Sequence, residues 1–289
     1  MLGANTENLI GIDGGGTNCR IALIWQGVRH EVQVGAANAF TDLTGTVAII
    51  RDGLTRVANA AGQGLEQLSD VPAYIGLAGV ISPDIARKVT AELPLTRATV
   101  SDDRTTALVG ALDNADGAVA SIGTGSFLAR QSNGQPQLIG GYGLRLGDQA
   151  SGAWLGRQLL IRILQIADGL QPHSHLTRAV FARFNNNTSD IIAFGRTAAP
   201  QDYGSLAPEI VQAASAEDQT AQSLMQQGVD YITSGLKAMG WQSDQPLVLL
   251  GGVAASYAKF LPTDTAAAIT AAKGSALDGA LTLAARAIK

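Results

Sequence analysis

The order in which secondary-structure signals recur along this chain constrains its fold more than any one motif. Apolar runs and turn residues mark three successive strands, Asn8–Asp13, Asn18–Trp25 and Val28–Val34, joined by Gly14-Gly15-Gly16 and Gln26-Gly27 as a meander. A helix follows, with Val47, Ile50, Leu54, Val57 and Ala61 at helical spacing and Thr41 or Asp42 placed to cap it. Strand Ala73–Leu77, helix Pro83–Leu93, strand Arg97–Ser101 and helix Thr105–Leu112 come next. The order then restarts: Gly117–Ile122, Phe127–Ser132 and Gln137–Gly141 form a second meander, with Asn133-Gly134 as its hairpin turn, and helix Ala150–Ala167 follows. Residues 170–216 read as a helical insertion with no strand, around the polar Asn185-Asn186-Asn187 loop. A helix from about Asp218 to Met239, strand Pro246–Leu250, a short helix near Ser256–Leu261 and a last helix Ser275–Ile288 complete the chain. Two halves of like order point to a duplicated α/β unit with a ligand held between the copies.

A chain of 289 residues exceeds the size at which one core usually keeps growing. Two domains are expected, 1–116 and 117–289, with the 170–216 insertion in the second and the last helix free to pack back on the first. Hydrophobic residues make up 46% of the chain, enough for two filled cores. The net charge of −4, with no Lys/Arg cluster, argues against a nucleic-acid partner, whose phosphates demand a basic face. Apolar stretches such as Ala118–Ile122 and Pro246–Leu250 are far too short to span a bilayer, so no membrane partner and a cytoplasmic location are expected. Cys19 is the single cysteine, which excludes an internal disulfide and a cysteine-built zinc or iron–sulfur site. His30, His173 and His175 form no ligand cluster.

Three apolar runs end in glycine-rich turns: Asp13-Gly14-Gly15-Gly16-Thr17, Gly123-Thr124-Gly125-Ser126 and Leu249-Leu250-Gly251-Gly252. Without Cβ atoms a backbone can approach an anion closely and point successive N–H groups at it, so such turns suit phosphate. In the first, Asp13 and Thr17 are the ligand types a hydrated Mg²⁺ accepts beside phosphate oxygens. A tight hairpin explains Gly14 to Gly16 equally well, and hairpin and phosphate loop can be one object.

These segments, together with Ser101-Asp-Asp-Arg-Thr-Thr-Ala-Leu108, Gly140-Gly-Tyr-Gly143, Leu146-Gly-Asp-Gln-Ala-Ser151 and Gly274-Ser-Ala-Leu-Asp-Gly-Ala280, resemble the actin-like sugar-kinase superfamily. Within it they resemble the N-acetylglucosamine kinase group, which shares its domain with the BadF/BadG/BcrA/BcrD ATPases. The match runs over nearly the whole chain in the family's order. It implies an α/β fold of two ribonuclease-H-like (actin-like ATPase) domains with an interdomain cleft, and ATP-dependent phosphorylation of an amino sugar, N-acetylglucosamine or glucosamine, at its 6-hydroxyl. By that resemblance Gly14, Gly15, Gly16 and Thr17 form the first phosphate loop, with Asp13 holding Mg²⁺ through water, and Gly123, Thr124, Gly125 and Ser126 form the second. Gly251, Gly252, Gly274 and Ser275 then flank the adenosine, while Asn38, Asp103, Thr124, Tyr142, Gly143 and Asp148 face the sugar. A homodimer remains open.

Phosphoryl transfer to a sugar hydroxyl asks for a carboxylate within hydrogen-bond reach of the attacking oxygen. Asp103 is the expected base. Asp102 stands where the family usually has Asn, and two adjacent carboxylates repel; Asp102 is expected to cap the following helix, to point away, or to favour a cationic amino group on the sugar. Asp148 is read either as a sugar ligand or as the cap of the helix that follows it. Gln149 and Ala78 also depart from the family pattern and leave the choice of sugar open. Two other functions occur in the same superfamily: a dehydratase activator, whose iron–sulfur cluster needs more cysteines than the one present here, and a nucleotide-driven interaction module or ATPase without sugar kinase activity.

Overall fold

A computed structural model describes residues 8–16 and 18–288; Thr17 lies outside them. The chain forms two units, one combining the segment up to Ala115 with that from Ala272 onward, the other spanning Asp116–Ala271.

In the first unit β1 (Leu9–Gly14), β2 (Cys19–Trp25), β3 (Val28–Val34), β4 (Ala73–Leu77) and β5 (Ala98–Asp102) lie in the order β3-β2-β1-β4-β5. The meander strands pair antiparallel, whereas β4 and β5 run parallel to β1. Strand alternation sends Ile10 and Ile12 to the face covered by α1 (Leu43–Ala60), whose stripe Val47, Ile50, Leu54 and Val57 is buried there. Asp42 caps this helix, its carboxylate accepting from the Gly45 N–H at 2.8 Å. Helix α2 (Pro83–Glu92) starts at Ser82 with proline in its first turn, and α3 (Asp103–Leu112) follows β5 without a linker.

The second unit repeats the order. Its strands β6 (Gly117–Ile122), β7 (Ser126–Ser132), β8 (Gln135–Gly140), β9 (Leu247–Leu250) and β10 (Ile269–Thr270) lie as β10-β9-β6-β7-β8. Helix α4 (Gly152–Ala167) follows β8, and α5 (His175–Arg183), α6 (Thr188–Thr197), α7 (Pro200–Gly204) and α8 (Ala207–Ser215) fill the stretch expected to be helical. Asn185 and Asn186 take left-handed backbone, and Asn187 caps α6. Helix α9 (Gln219–Ala238) buries Leu224, Val229, Ile232 and Leu236. Where a single helix was expected near Ser256–Leu261, α10 (Ala254–Tyr257) ends four residues earlier, and a further short helix, α11 (Thr263–Ala267), opens after Pro262. Strand β10, two residues long, carries no readable periodicity.

The C-terminal helix α12 (Ala276–Arg286) belongs to the first unit, where Leu277, Leu281 and Ala284 form a buried cluster with Leu9 and Ala22. Its backbone crosses that of α3 directly: a Cβ at Gly279 would lie 2.0 Å from the Thr106 carbonyl oxygen, and one at Gly110 2.0 Å from that of Ser275. Glycine at both crossings is what lets the two helices touch. Burying a leucine such as Leu277 contributes about 1.5–3 kcal/mol. No described helix is long and apolar enough to cross a membrane.

Candidate active site

The Gly14-Gly15-Gly16 turn is a β-hairpin: Gly14 pairs with Cys19, and the Gly15 N–H donates to the Asn18 carbonyl at 2.9 Å. Its glycines differ in what they need. A Cβ on Gly14 would lie 2.3 Å from Leu77 Cδ2, inside the core, whereas one on Gly16 would meet nothing within 4 Å. The backbone open to an anion is therefore at Gly16, the Gly15 N–H being committed to Asn18, and Gly14 is a packing requirement. Cross-strand pairing sets Arg20 opposite Asp13, and the guanidinium holds that carboxylate at 2.5 Å.

Asp103 opens α3. Its neighbour Asp102 is the helix cap, its carboxylate accepting from the Arg104 N–H at 2.7 Å and from the Arg104 guanidinium at 2.5–2.8 Å. Of the three expectations for Asp102, capping is the one observed, and Arg104 balances the extra charge. Asp103 is left among carboxylates. Burial, reinforced by repulsion from Asp102 and Asp13, pushes its pKa from 3.8 up to about 7, with Arg104 acting the other way. Asn38 lies beside the end of β1: it bridges Ala78, whose N–H donates to the Gly14 carbonyl at 2.7 Å. The Asn38 Oδ1 accepts from the N–H groups of Phe40 and Thr41 at 3.1 and 3.2 Å.

In the second unit the Gly123-Thr124-Gly125 turn joins β6 to β7, closed by the Gly123 N–H on the Gly125 carbonyl at 2.9 Å. Thr124 and Gly125 are exposed. The Gly123 carbonyl accepts from the Gly152 N–H at 2.8 Å, which seats the start of α4 against the turn. Ser126 is buried and its hydroxyl donates to the Gln149 carbonyl at 2.6 Å, so that side chain is committed to the scaffold. Gly251 sits alongside with φ +93°, and a Cβ there would lie 2.5 Å from the Ile122 carbonyl oxygen; Gly252 is open.

Asp148 does not cap α4. Ser151 does, accepting from the Trp154 N–H at 3.0 Å, and the helix starts at Gly152, two residues later than expected, because Ala150 has φ +69°. Asp148, itself at φ +57° and 7% exposed, accepts instead from the backbone N–H groups of Ser126 and Gly143. Burial raises its pKa and those two donors oppose the rise. Its Oδ2 would be 2.9 Å from a Cβ on Gly125, so carboxylate and phosphate-type turn are neighbours. Tyr142 stands 71% exposed next to Gly143.

Gly274 and Ser275 fall in the first unit. Ser275 caps α12: its hydroxyl donates to Asp278 at 2.7 Å and accepts from the Asp278 N–H at 3.2 Å. The structure thus brings Asp13 and Asp103 together in one unit and Gly123–Ser126, Gly143, Asp148 and Gly251 together in the other. Arg20 and Arg104, which balance Asp13 and Asp102, were missed in the sequence. The register of the β1–β2 hairpin was the signal for Arg20.

Among the described residues no three His, Cys, Asp or Glu side chains cluster to hold a metal alone. Asp13 offers a single carboxylate, paired with Arg20 through one oxygen, and a lone carboxylate beside phosphate oxygens is the kind of protein ligand that a hydrated Mg²⁺ takes.

Comparison with known proteins gives these observations a family. The model of the BadF/BadG/BcrA/BcrD ATPase family matches residues 10–273. The chain is 29% identical over 278 residues, 94% of each protein, to the glucosamine kinase GspK of Vibrio cholerae. A provisionally named N-acetylglucosamine kinase from Chromobacterium violaceum superposes with TM-score 0.84 at 29% identity, over 96% of this chain and 99% of that one. A ROK family glucokinase from Streptomyces griseus, solved with glucose and AMPPNP, shares the fold at TM-score 0.52 and 16% identity, over 96% of this chain and 98% of that one. The architecture is thus the two-domain fold of the actin-like sugar kinases, and the chain belongs to the BadF/BadG/BcrA/BcrD ATPase family.

Proposed function

We propose that this chain transfers the γ-phosphoryl group of ATP to the 6-hydroxyl of an amino sugar, glucosamine or N-acetylglucosamine. The observation that carries the reading is Asp103, a carboxyl held near neutrality at the start of α3. A base of that strength both accepts a proton at neutral pH and gives it up again, which is where general-base catalysis is most effective. The kinship to the glucosamine kinase GspK supports the choice of an amino sugar.

In this reading Asp103 takes the proton of the attacking hydroxyl. Asp148, Tyr142, Gly143, Asn38 and Thr124 orient the sugar, and the turns Gly14–Gly16 and Gly123–Ser126 receive the phosphates through the backbone left open at Gly16 and at the exposed Thr124 and Gly125. Gly251, Gly252, Gly274 and Ser275 border the nucleoside. Asp13 would hold Mg²⁺, which when bound supplies charge neutralisation for the transferring phosphoryl group. Arg104 keeps Asp102 bound to the helix start and out of competition for the proton. Following ATP consumption with glucosamine, N-acetylglucosamine and glucose, and locating the phosphate on the product by NMR, tests the proposal. A selective acceleration by an amino sugar is expected; ATP turnover indifferent to every sugar overturns it.

A further inference from the structure

Asp13 and Arg20 stand opposite each other across the β1–β2 hairpin, with the Gly14–Gly16 turn between them in the chain. The guanidinium holds the carboxylate by Oδ2 at 2.5 Å. The Arg20 side chain is 41% exposed and that of Asp13 only 16%, so the cation is the member of the pair that an approaching ligand meets. On the other side of β1 further carboxylates follow. Asp13 lies beside Gly76 of β4, which pairs in turn with Ser101 of β5, and Asp102 and Asp103 come directly after Ser101. The charge of Asp13 is felt at Asp103, where it helps to raise the pKa. Arg20 pairs with Asp13 and Arg104 with Asp102, so two of these three carboxylates are each held by a guanidinium.

We propose that Arg20 is a positioning residue that selects the metal–nucleotide complex over the free metal. This rests on the reading above in which Asp13 takes the Mg²⁺ of ATP. A guanidinium stays charged at every accessible pH and opposes a second cation at the same carboxylate. Mg²⁺ alone is a dication, and Arg20 weakens the site for it. The complex of Mg²⁺ with ATP is an anion, and the same charge attracts it to the glycine turn beside Asp13. Holding Asp13 by one oxygen also fixes the direction in which the other faces. Removing the charge therefore acts with opposite sign on the two ligands, whereas loss of a merely structural contact would weaken both.

Arg20→Gln and Arg20→Thr remove the charge, the second with a residue that favours strands, and Arg20→Lys keeps it. Thermal melts first establish that each variant is folded. Binding of Mn²⁺ alone, as a paramagnetic probe for Mg²⁺, is then followed by electron paramagnetic resonance, and binding of AMPPNP with Mg²⁺ by calorimetry. The neutral variants are expected to bind free Mn²⁺ three- to tenfold more tightly and Mg²⁺·AMPPNP three- to tenfold more weakly, about the worth of one charge-assisted contact at a partly exposed site. Arg20→Lys is expected within about twofold of wild type for both ligands. Unchanged Mn²⁺ affinity in the neutral variants, two affinities that move in the same direction, or a lysine variant that behaves like the neutral ones overturns the assignment. A wild-type affinity for AMPPNP that is indifferent to Mg²⁺ overturns instead the placement of the metal at Asp13, and wild-type protein that phosphorylates no amino sugar overturns the kinase reading, so the failures are told apart.

Discussion

Replacing Asp103 by Asn should make the protein both inactive and more stable at alkaline pH. An acid whose pKa is raised on folding binds its proton more tightly in the folded state. Its penalty is absent below the ordinary value of 3.8, grows as pH rises, and is complete above about 7. The interval between 3.8 and about 7 corresponds to about 4 kcal/mol if fully realised. Asp103 keeps partial access to water, and its environment relaxes around charge, so a gain of about 1–3 kcal/mol for Asp103→Asn at pH 8.5 is the working figure. At pH 4.5 the folded wild-type side chain is protonated and only about a quarter of the penalty has developed, so the two proteins should melt much closer together than at pH 8.5. Thermal melts of both proteins from pH 4.5 to 8.5, without nucleotide or magnesium, measure the difference. The same variant should lose about 10²–10⁴ in kcat, the usual contribution of a general base. A variant no more stable than wild type at pH 8.5, or one destabilised equally at every pH, would refute the picture of Asp103 as a carboxyl strained by Asp102 and Asp13. Retained kcat would refute its role as the base.

The glycine turns separate two kinds of variant. Gly14→Val should fail to fold or melt far below wild type, because its Cβ would lie 2.3 Å from Leu77 Cδ2, while Gly16→Ala, with open space around it, should fold normally and weaken nucleotide binding by calorimetry. Gly251→Ala, forced to φ +93° and toward the Ile122 carbonyl, should lower stability by about 1–3 kcal/mol in denaturant melts. Gly125→Ala should raise KM for the sugar by pushing on Asp148 Oδ2, 2.9 Å from the new methyl, whereas an unchanged KM would separate Asp148 from the sugar.

Much of the architecture is legible in the residues because it is written in local chemistry. Glycine pairs, alternating apolar runs and helical stripes mark the two meanders and the helices that follow them, and the repeat of that order is visible without any tertiary information. An element without a local signature, such as the two-residue β10, is held by its neighbour β9 and so is not legible in the sequence. The glycine turns were found, but the sequence assigned all their glycines one purpose.

Only the tertiary structure decided which glycine serves packing and which leaves backbone open, since that depends on Leu77, Asp148 and the Ile122 carbonyl, residues distant in sequence. It also decided that Ser151, and not Asp148, caps α4, freeing the Asp148 carboxylate to be held by Ser126 and Gly143. The adjacent pair Asp102-Asp103 is plain in the sequence, yet which carboxylate becomes the cap and which is left with a raised pKa follows from burial and from where Arg104 and Asp13 come to lie around them. Residue type and spacing specify what a side chain can do, whereas protonation and hydrogen-bond commitment are set by the charges and dipoles that folding brings within a few ångströms.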